Sequence, residues 1–380
     1  MSTSIKRIGT IDGIRGWSLF GILLANLLIF QYGIFGKDEI GYFNLSSTNL
    51  GFYYFTKIFI EGAFMPIFTF IFGYSLILMK KSLERKQLKV KWHLFRRSII
   101  LIGLGLLHSI FLWEGDILFV YGIMGICLLP FVMRKPKTIL IWVVLLFSLI
   151  TAVSLVDSGE DFELTSEAKM TSYLNETMTI YSAGTYSEIK DHRLNKDPLE
   201  LGSAEATLML LLLPFLLSPM FLFGMYAAKM KWFLNPIKDK RKYLTGLLIL
   251  IPIGLLLKST PYLFDEINLE MLGGIVLPIG YICLFAFAYS KLPRTLTFFE
   301  NVGKLSLTNY IMQTVICTFI FYGYGFGLFA RLGVAAGVAL GAVIFTCQIV
   351  VSTLYLKYFK QGPLEKLMRV GVYLRLRSAK

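Results

Sequence analysis

Ten apolar stretches, each close to the length of a bilayer crossing, are separated by gaps, and the basic residues fall almost entirely in every second gap. A helix needs about 20 mostly apolar residues to cross the roughly 30 Å hydrocarbon core. The stretches cover about 11–33, 52–79, 95–113, 116–133, 138–156, 205–228, 242–258, 269–290, 305–323 and 332–356. Backbone in lipid must satisfy its own hydrogen bonds, so ten such runs predict an all-α polytopic transmembrane helix bundle. Most of the 38 lysines and arginines fall at the N-terminus (Lys6, Arg7), in four alternate gaps (Lys80–Arg97, Arg134–Lys137, Lys229–Lys242, Lys291–Lys304) and in the tail after Lys357. Basic loops stay on the cytoplasmic side. Both termini are then cytoplasmic, which requires an even number of crossings, and ten is even.

The chain divides at its longest polar gap. Residues 1–156 form an N-terminal five-span half, and 205–356 a second half of five spans. Residues 157–204 form an extracytoplasmic loop with a short helix expected near 163–182, and 357–380 a cytoplasmic amphipathic tail. Gly362-Pro363 start a tail helix that Lys366, Arg369, Leu364, Leu367 and Met368 would hold on the inner leaflet. The runs Pro66–Lys80 and Pro219–Lys231 share a Pro…Phe-Gly…Met-Lys cadence, a weak internal repeat. Gly333, Gly337 and Gly341 make a small-residue stripe suited to close helix packing, which leaves room for a homodimer.

Composition narrows the function. Hydrophobic residues make up 56% of the chain, and the net charge is +14. That charge is the topology signal facing anionic lipid, so no nucleic-acid partner is expected. Cys127, Cys283, Cys317 and Cys347 all lie within spans, and no cysteine–histidine cluster has metal-ligand spacing, so no metal is expected. The first span carries Asp12 and Arg15 and lacks a cleavage site, which argues against a cleaved signal peptide.

Charges inside the membrane are costly and each needs a reason. Asp12 and Arg15, three residues apart, share a helix face. They form either a self-neutralising pair or an arginine held ready for an anion, with Asn26 further along the same stripe. Glu61 pairs with Lys57 or faces an outward cavity as an acid or base. His108 is the one histidine within a span. It is a core residue, or a general base, or an acyl carrier. Its face includes Gly105, with Gly103 at the edge, a shallow groove leading down towards Arg97, about 16 Å away along the helix. Trp113-Glu114-Gly115-Asp116 turns back towards His108. Asp116 can cap the next helix and also fix the imidazole tautomer, and Tyr121 follows. Ser306, Asn309, Gln313 and Cys317 form a polar stripe that either bonds between helices or lines a cavity. No P-loop or nucleophile elbow is present.

Arg7…Asp12-x-x-Arg15-Gly16, Arg96-Arg97…Gly105…His108…Trp113-x-Gly115-Asp116-Ile117-Leu118…Tyr121-Gly122, Ser306-Leu307-Thr308-Asn309-Tyr310…Gln313 and Phe359-Lys360-Gln361-Gly362-Pro363-Leu364-Glu365…Arg369 occur in this order. Together they resemble the bacterial YeiB-like integral-membrane proteins, whose domain is of unknown function. That family is distantly similar to the transmembrane acyltransferases. The resemblance implies a multi-pass protein of the bacterial plasma membrane that moves an acyl group from cytoplasmic acyl-CoA to an extracytoplasmic acceptor, a hydroxyl or amine on a small molecule or glycan. The lysosomal relative places its catalytic histidine differently, and this chain has Tyr32-Gly33 after its first span. No catalytic residue is therefore carried over.

The resulting expectation assigns Arg15, Asp12, Arg97 and Arg96 to the CoA phosphates and His108, with Asp116 or Glu61, to catalysis. Asn26, Trp113, Tyr121, Ser306, Asn309 and Gln313 are expected to line the substrate site, with membrane lipid as surroundings. The alternative is a transporter or flippase without covalent chemistry. A third reading is a sensor or assembly partner that works through the 157–204 loop.

Overall fold

The computed structural model describes residues 7–155, 166–199, 202–264 and 267–374. Lys6, the start of the expected loop helix with its acidic neighbours Asp157–Glu163, and Arg375, Arg377 and Lys380 lie outside them. The elements in chain order are α1 (Gly9–Tyr32), a 3-10 turn (Ile40–Phe43), α2 (Ser47–Phe59), α3 (Phe64–Arg85), α4 (Val90–Phe111), α5 (Leu118–Cys127), α6 (Leu129–Val132), α7 (Pro136–Leu155), α8 (Glu167–Ala183), α9 (Tyr186–Asn195), α10 (Ser203–Lys229), α11 (Lys240–Leu263), α12 (Glu270–Lys291), α13 (Thr297–Lys304), α14 (Ser306–Phe321), α15 (Val334–Tyr358) and α16 (Pro363–Tyr373). No strand occurs among the described residues. The protein is a polytopic helical bundle.

Among the described residues, eight helical runs are long and apolar enough to cross a membrane, with α2 and α3 counted as one run of 39 residues. The fourth and ninth expected crossings differ from expectation. Each is a broken helix: α5 has 10 residues before a one-turn α6 that carries Pro130, and α14 has 16 residues after the short α13. At about 1.5 Å per residue, α5 rises only about 15 Å. The second crossing also breaks, at 60–63 around Gly62, which has φ +67°. Broken helices survive at membrane depth where protein rather than lipid surrounds the break.

The first helix is the hub. It is buried on nearly every side and packs against α3, α12, α13, α14 and α15. Its closest crossing is with α13. A β-carbon on Gly16 would lie 1.9 Å from the Phe299 carbonyl oxygen, and one on Gly303 would lie 1.9 Å from that of Asp12. No other residue fits either position, and the contact brings Arg15 beside the end of α13. The repeated Phe-Gly cadence makes a second reciprocal contact. A β-carbon on Gly73 would strike the Phe221 carbonyl, and one on Gly224 that of Phe70. The glycine stripe of α15 faces inward, with Gly337 against Gln31 and Gly341 against Leu24 and Leu27.

The polar loop folds onto one end of the bundle as two helices, where one was expected. Arg193 of α9 donates to the carbonyls of Ile110 and Leu112 at 2.9 Å each, and the Tyr186 hydroxyl donates to Phe111 at 2.8 Å. These are the carbonyls that the end of α4 leaves without helical partners. The tail helix α16 closes the opposite end. It rests on α4 and α14 instead of lying free on a lipid surface: Arg96 donates to the Gly371 carbonyl at 2.6 Å.

Candidate functional site

A cavity of about 280 Å³ runs up from the α16 end, bounded by α1, α3, α4, α5, α14 and α16. Its mouth carries Arg7, Arg15, Arg97 and Lys304. Higher up the lining is Phe72, Leu101, Leu118, Tyr121, Ile117 and Tyr310. Arg15 is held on two sides, by Asp12 Oδ1 at 2.8 Å and the Ser75 hydroxyl at 2.7 Å. Lys304 lies 3.4 Å from Glu300 Oε2. Arg97 stacks over the Phe72 ring at 4.6 Å and makes no hydrogen bond or ion pair among the described residues. A half-buried guanidinium without a carboxylate is costly to maintain. One that lines a cavity with two further arginines and a lysine is arranged for an anionic ligand.

The carboxylate that lines the cavity itself is already engaged. Glu365 of α16 accepts from the Leu307 and Thr308 amides at 2.8 and 3.1 Å and from the Thr308 hydroxyl at 2.6 Å. It therefore caps the start of α14, where free amides and the helix dipole favour negative charge.

Directly behind the blind end of the cavity sits the imidazole of His108. Nδ1 lies 2.9 Å from Asp116 Oδ1, and both side chains are almost fully buried. Nε2 lies 3.0 Å from the Thr314 hydroxyl. Asp116 Oδ2 accepts from the Phe119 amide at 2.7 Å, so one carboxylate caps α5 and holds the ring. The Nδ1–Oδ1 contact has ion-pair distance without hydrogen-bond alignment, and a small turn of the ring would bring a proton on Nδ1 onto the carboxylate and leave Nε2 to accept from Thr314. The result is a hydroxyl–imidazole–carboxylate relay, the arrangement used to move a proton to or from a reacting oxygen. Tyr310 separates the relay from the cavity. Its ring is 5.4 Å from that of His108, and its hydroxyl bridges the Ile117 amide and the Gly115 carbonyl, each at 3.3 Å.

The structure brings Arg15, Asp12, Arg97, Tyr121 and Ser306 to this cavity and its wall, and joins His108 to Asp116. The structure places the other expected residues elsewhere. Arg96 points away to Gly371 of α16 and not into the cavity. Glu61 does not reach His108. It is bound by Lys37 and Lys57 at 2.7 and 2.8 Å. Asn26 and Glu61 instead line a separate cavity of about 410 Å³ that opens at the α8–α9 end. Trp113 lines neither cavity. It is buried and stacks on Phe30 at 4.2 Å. Asn309 and Gln313 bond between helices, to Ser352 at 3.0 Å and Gln348 at 2.9 Å. The glycine groove of α4 is filled, since a β-carbon on Gly105 would lie 2.2 Å from the Phe119 amide. The open path passes Leu101 and Tyr121 instead.

Four residues with no sequence-level nomination matter here. Thr314 and Ser75 are ordinary hydroxyls until their partners are known. Glu365 stood out only as part of a motif. Lys258, 1% exposed on α11, donates to the Lys57 carbonyl at 2.6 Å and to that of Glu61. It caps the break between α2 and α3.

A second cluster of titratable groups lies under the loop helices. Burial pushes the Glu114 carboxyl up despite Arg193, whose Nε is 3.8 Å away, and Tyr181, which donates at 3.3 Å. Burial also holds the His192 imidazole below its ordinary value.

Comparison with known proteins places these features in a family. The family model described as "Protein of unknown function (DUF418)" matches residues 227–375. The uncharacterized protein YxaH of Bacillus subtilis is 32% identical over 97% of this chain and 95% of its own length. The uncharacterized protein YeiB of Escherichia coli is 26% identical, covering 99% of this chain and 98% of its own length. An uncharacterized 39.9 kDa protein from the amylase 3' region of Bacillus acidopullulyticus is 27% identical over 97% and 95%.

Proposed function

The chain belongs to the YeiB-like DUF418 family of multi-pass membrane proteins, and from that premise we propose that it is an acyltransferase of the bacterial plasma membrane. In this reading the basic loops face the cytoplasm and the α16 end is the cytoplasmic end. Acyl-CoA is the donor substrate. Arg15, Arg97 and Lys304 bind its phosphates, with Asp12 and Ser75 fixing the Arg15 fork. At about 280 Å³ the cavity is at the small end for a ligand site, so it takes the pantetheine arm and leaves the nucleotide at the mouth.

The observation that carries the proposal is a cavity with a basic mouth whose inner wall, Tyr310, packs directly against the imidazole of His108. His108 Nε2 takes the proton of an acceptor hydroxyl or amine by way of the Thr314 hydroxyl that already donates to it. The acceptor oxygen or nitrogen then bonds to the thioester carbonyl carbon, the carbon–sulfur bond breaks, and the imidazolium returns the proton to the CoA thiolate. Asp116 keeps the ring in the required tautomer. Turnover requires the Tyr310 side chain to leave the Gly115–Ile117 turn and open the cavity to His108. The acceptor reaches the relay from the opposite side and is a small molecule or glycan bearing a hydroxyl or amine.

The test is thiol release from acyl-CoA by purified protein in detergent, alongside direct binding of CoA. Binding and release that are lost in His108→Ala support the reading. Absence of both in the wild type overturns it.

A transporter reading also has one observation in its favour. The basic cavity and the cavity that holds Asn26 and Glu61 share a single lining residue, Ile117. Two opposed cavities that meet at one plug match a gated passage. Flux through proteoliposomes without acyl donor, raised by Ile117→Ala, would favour it over covalent chemistry.

A further inference from the structure

At the α8–α9 end, two cavities of about 410 and 490 Å³ run into each other among α3, α7, α10 and α12. They share Gly62, Ile150, Leu216, Gly274 and Ile275. The inner part is walled by hydrocarbon, including Ile22, Phe64, Phe147 and Met220. Its rim reaches the lipid-facing surface at Leu216, 48% exposed, and Met271, 44% exposed. The outer part holds Lys258, Asn268 and Glu270. Two donors of the Lys258 ammonium go to the Lys57 and Glu61 carbonyls. The third has only Glu270, 3.9 Å away, although an ammonium offers three donors. The wall is open at Gly274, where a β-carbon would meet only the Gly62 carbonyl, at 3.7 Å.

We propose that this cleft binds a membrane amphiphile, with one hydrocarbon chain in the inner part and a head-group oxygen on the Lys258 ammonium. An apolar cavity that borders lipid is a poor place for water and a good one for a chain. A buried cation at the polar end of the same cleft completes the match, because intramembrane charges mark ligand sites. The cleft does not depend on acyl transfer. The inference goes beyond the activity proposed above, and either can fail without the other.

The test uses the full chain in nanodiscs of phosphatidylethanolamine and phosphatidylglycerol. Two probes are compared, a phosphatidylglycerol with a diazirine on one acyl chain and a diazirine fatty acid. After photolysis, adducts are mapped by mass spectrometry. Adducts are expected at Phe147, Ile150, Met220 and Ile275 in excess over Leu145 and Leu149, which face lipid on α7. Whichever probe labels the cleft identifies the source of the chain. Gly274→Leu fills the opening and is a better helix former. It should abolish the cleft adducts and leave those at Leu145 and Leu149 unchanged. Lys258→Met should lower labelling of the cleft by the charged-head probes. Equal labelling of both faces of α7, or cleft adducts that persist in Gly274→Leu, overturns the proposal. Labelling of the cleft in a protein without thioester cleavage would uphold it and sink only the acyltransferase reading.

Discussion

His108 and Asp116 are joined across the tight turn between α4 and α5, with Nδ1 2.9 Å from Oδ1 inside a sealed core. The carboxylate has two tasks, since its other oxygen caps α5 through the Phe119 amide. The tasks are separable by substitution. In Asp116→Asn, a side-chain oxygen can still accept from Phe119 while the charge that orients the ring is gone. Under the proposed mechanism acyl transfer should fall by about 10²–10⁴-fold, the range for a positioned acid–base group. Thermal stability should change little. A His108→Ala variant should lose at least as much activity. If Asp116→Asn transferred acyl groups at the wild-type rate, the relay would have no catalytic role.

The unpaired guanidinium of Arg97 leads to a prediction with two opposite signs. Removing it deletes a half-buried cation that has no carboxylate to satisfy, so Arg97→Ala should leave stability unchanged or raise it. The same variant should weaken CoA binding about 10–100-fold, the cost of losing a charged hydrogen bond. Calorimetric titration with CoA and a thermal melt of the same preparation check both. A destabilised variant with unchanged affinity would make Arg97 a structural residue.

The contrast between Arg96 and Arg97 shows what the sequence could and could not reveal. Adjacent residues on a helix point about 100° apart. Which one faces the cavity depends on α16, a helix 275 positions further on. The Asp12–Arg15 pair was legible because its spacing of three is local. His108 and Asp116 were legible because a tight turn returns the chain upon itself. The spacing of Asn309 and Gln313 shows a shared helix face but not its task, which the position of Gln348 on α15 decides. The bundle class was plain from hydropathy and charge. The broken fourth and ninth crossings were not, because apolar composition records burial and not helix continuity. Lys258 was invisible because its partners are main-chain carbonyls, which carry no sequence signature.

Glu365 should be a stability residue before it is anything else. Its carboxylate takes three hydrogen bonds at the start of α14. Glu365→Ala leaves those donors unsatisfied and should cost about 1–2 kcal/mol, as for loss of a helix cap. Glu365→Gln keeps acceptor oxygen but removes the charge, and should fall between the two. Thermal unfolding in detergent reads the effect. Because Met368 on the same helix lines the basic cavity, CoA should also dissociate faster from Glu365→Ala.

The loop helices should release as pH falls. His192 on α9 is buried, with Nε2 3.3 Å from the Thr177 hydroxyl of α8. Burial lowers its affinity for a proton, and Lys196 adds to this, while Glu176 and Asp191 oppose it without prevailing. The folded value is thus below that of the released chain, near 6.5. The released state then binds more protons in this range, so docking is fully stabilised above about pH 6.5 and weakens as pH falls through the folded value. Glu188 adds to the loss only at lower pH. Its carboxylate accepts from the Thr185 amide at 2.7 Å, which holds it below the ordinary carboxylate value. Hydrogen exchange across 167–195, taken relative to the intrinsic amide rate at each pH, should therefore accelerate as pH falls below about 6.5. His192→Asn, which cannot take up a proton, should flatten the change in that interval. An acceleration that survives this substitution would move the titrating group elsewhere, with Glu114 excluded by sign: burial raises its carboxyl, so its protonation on acidification strengthens docking.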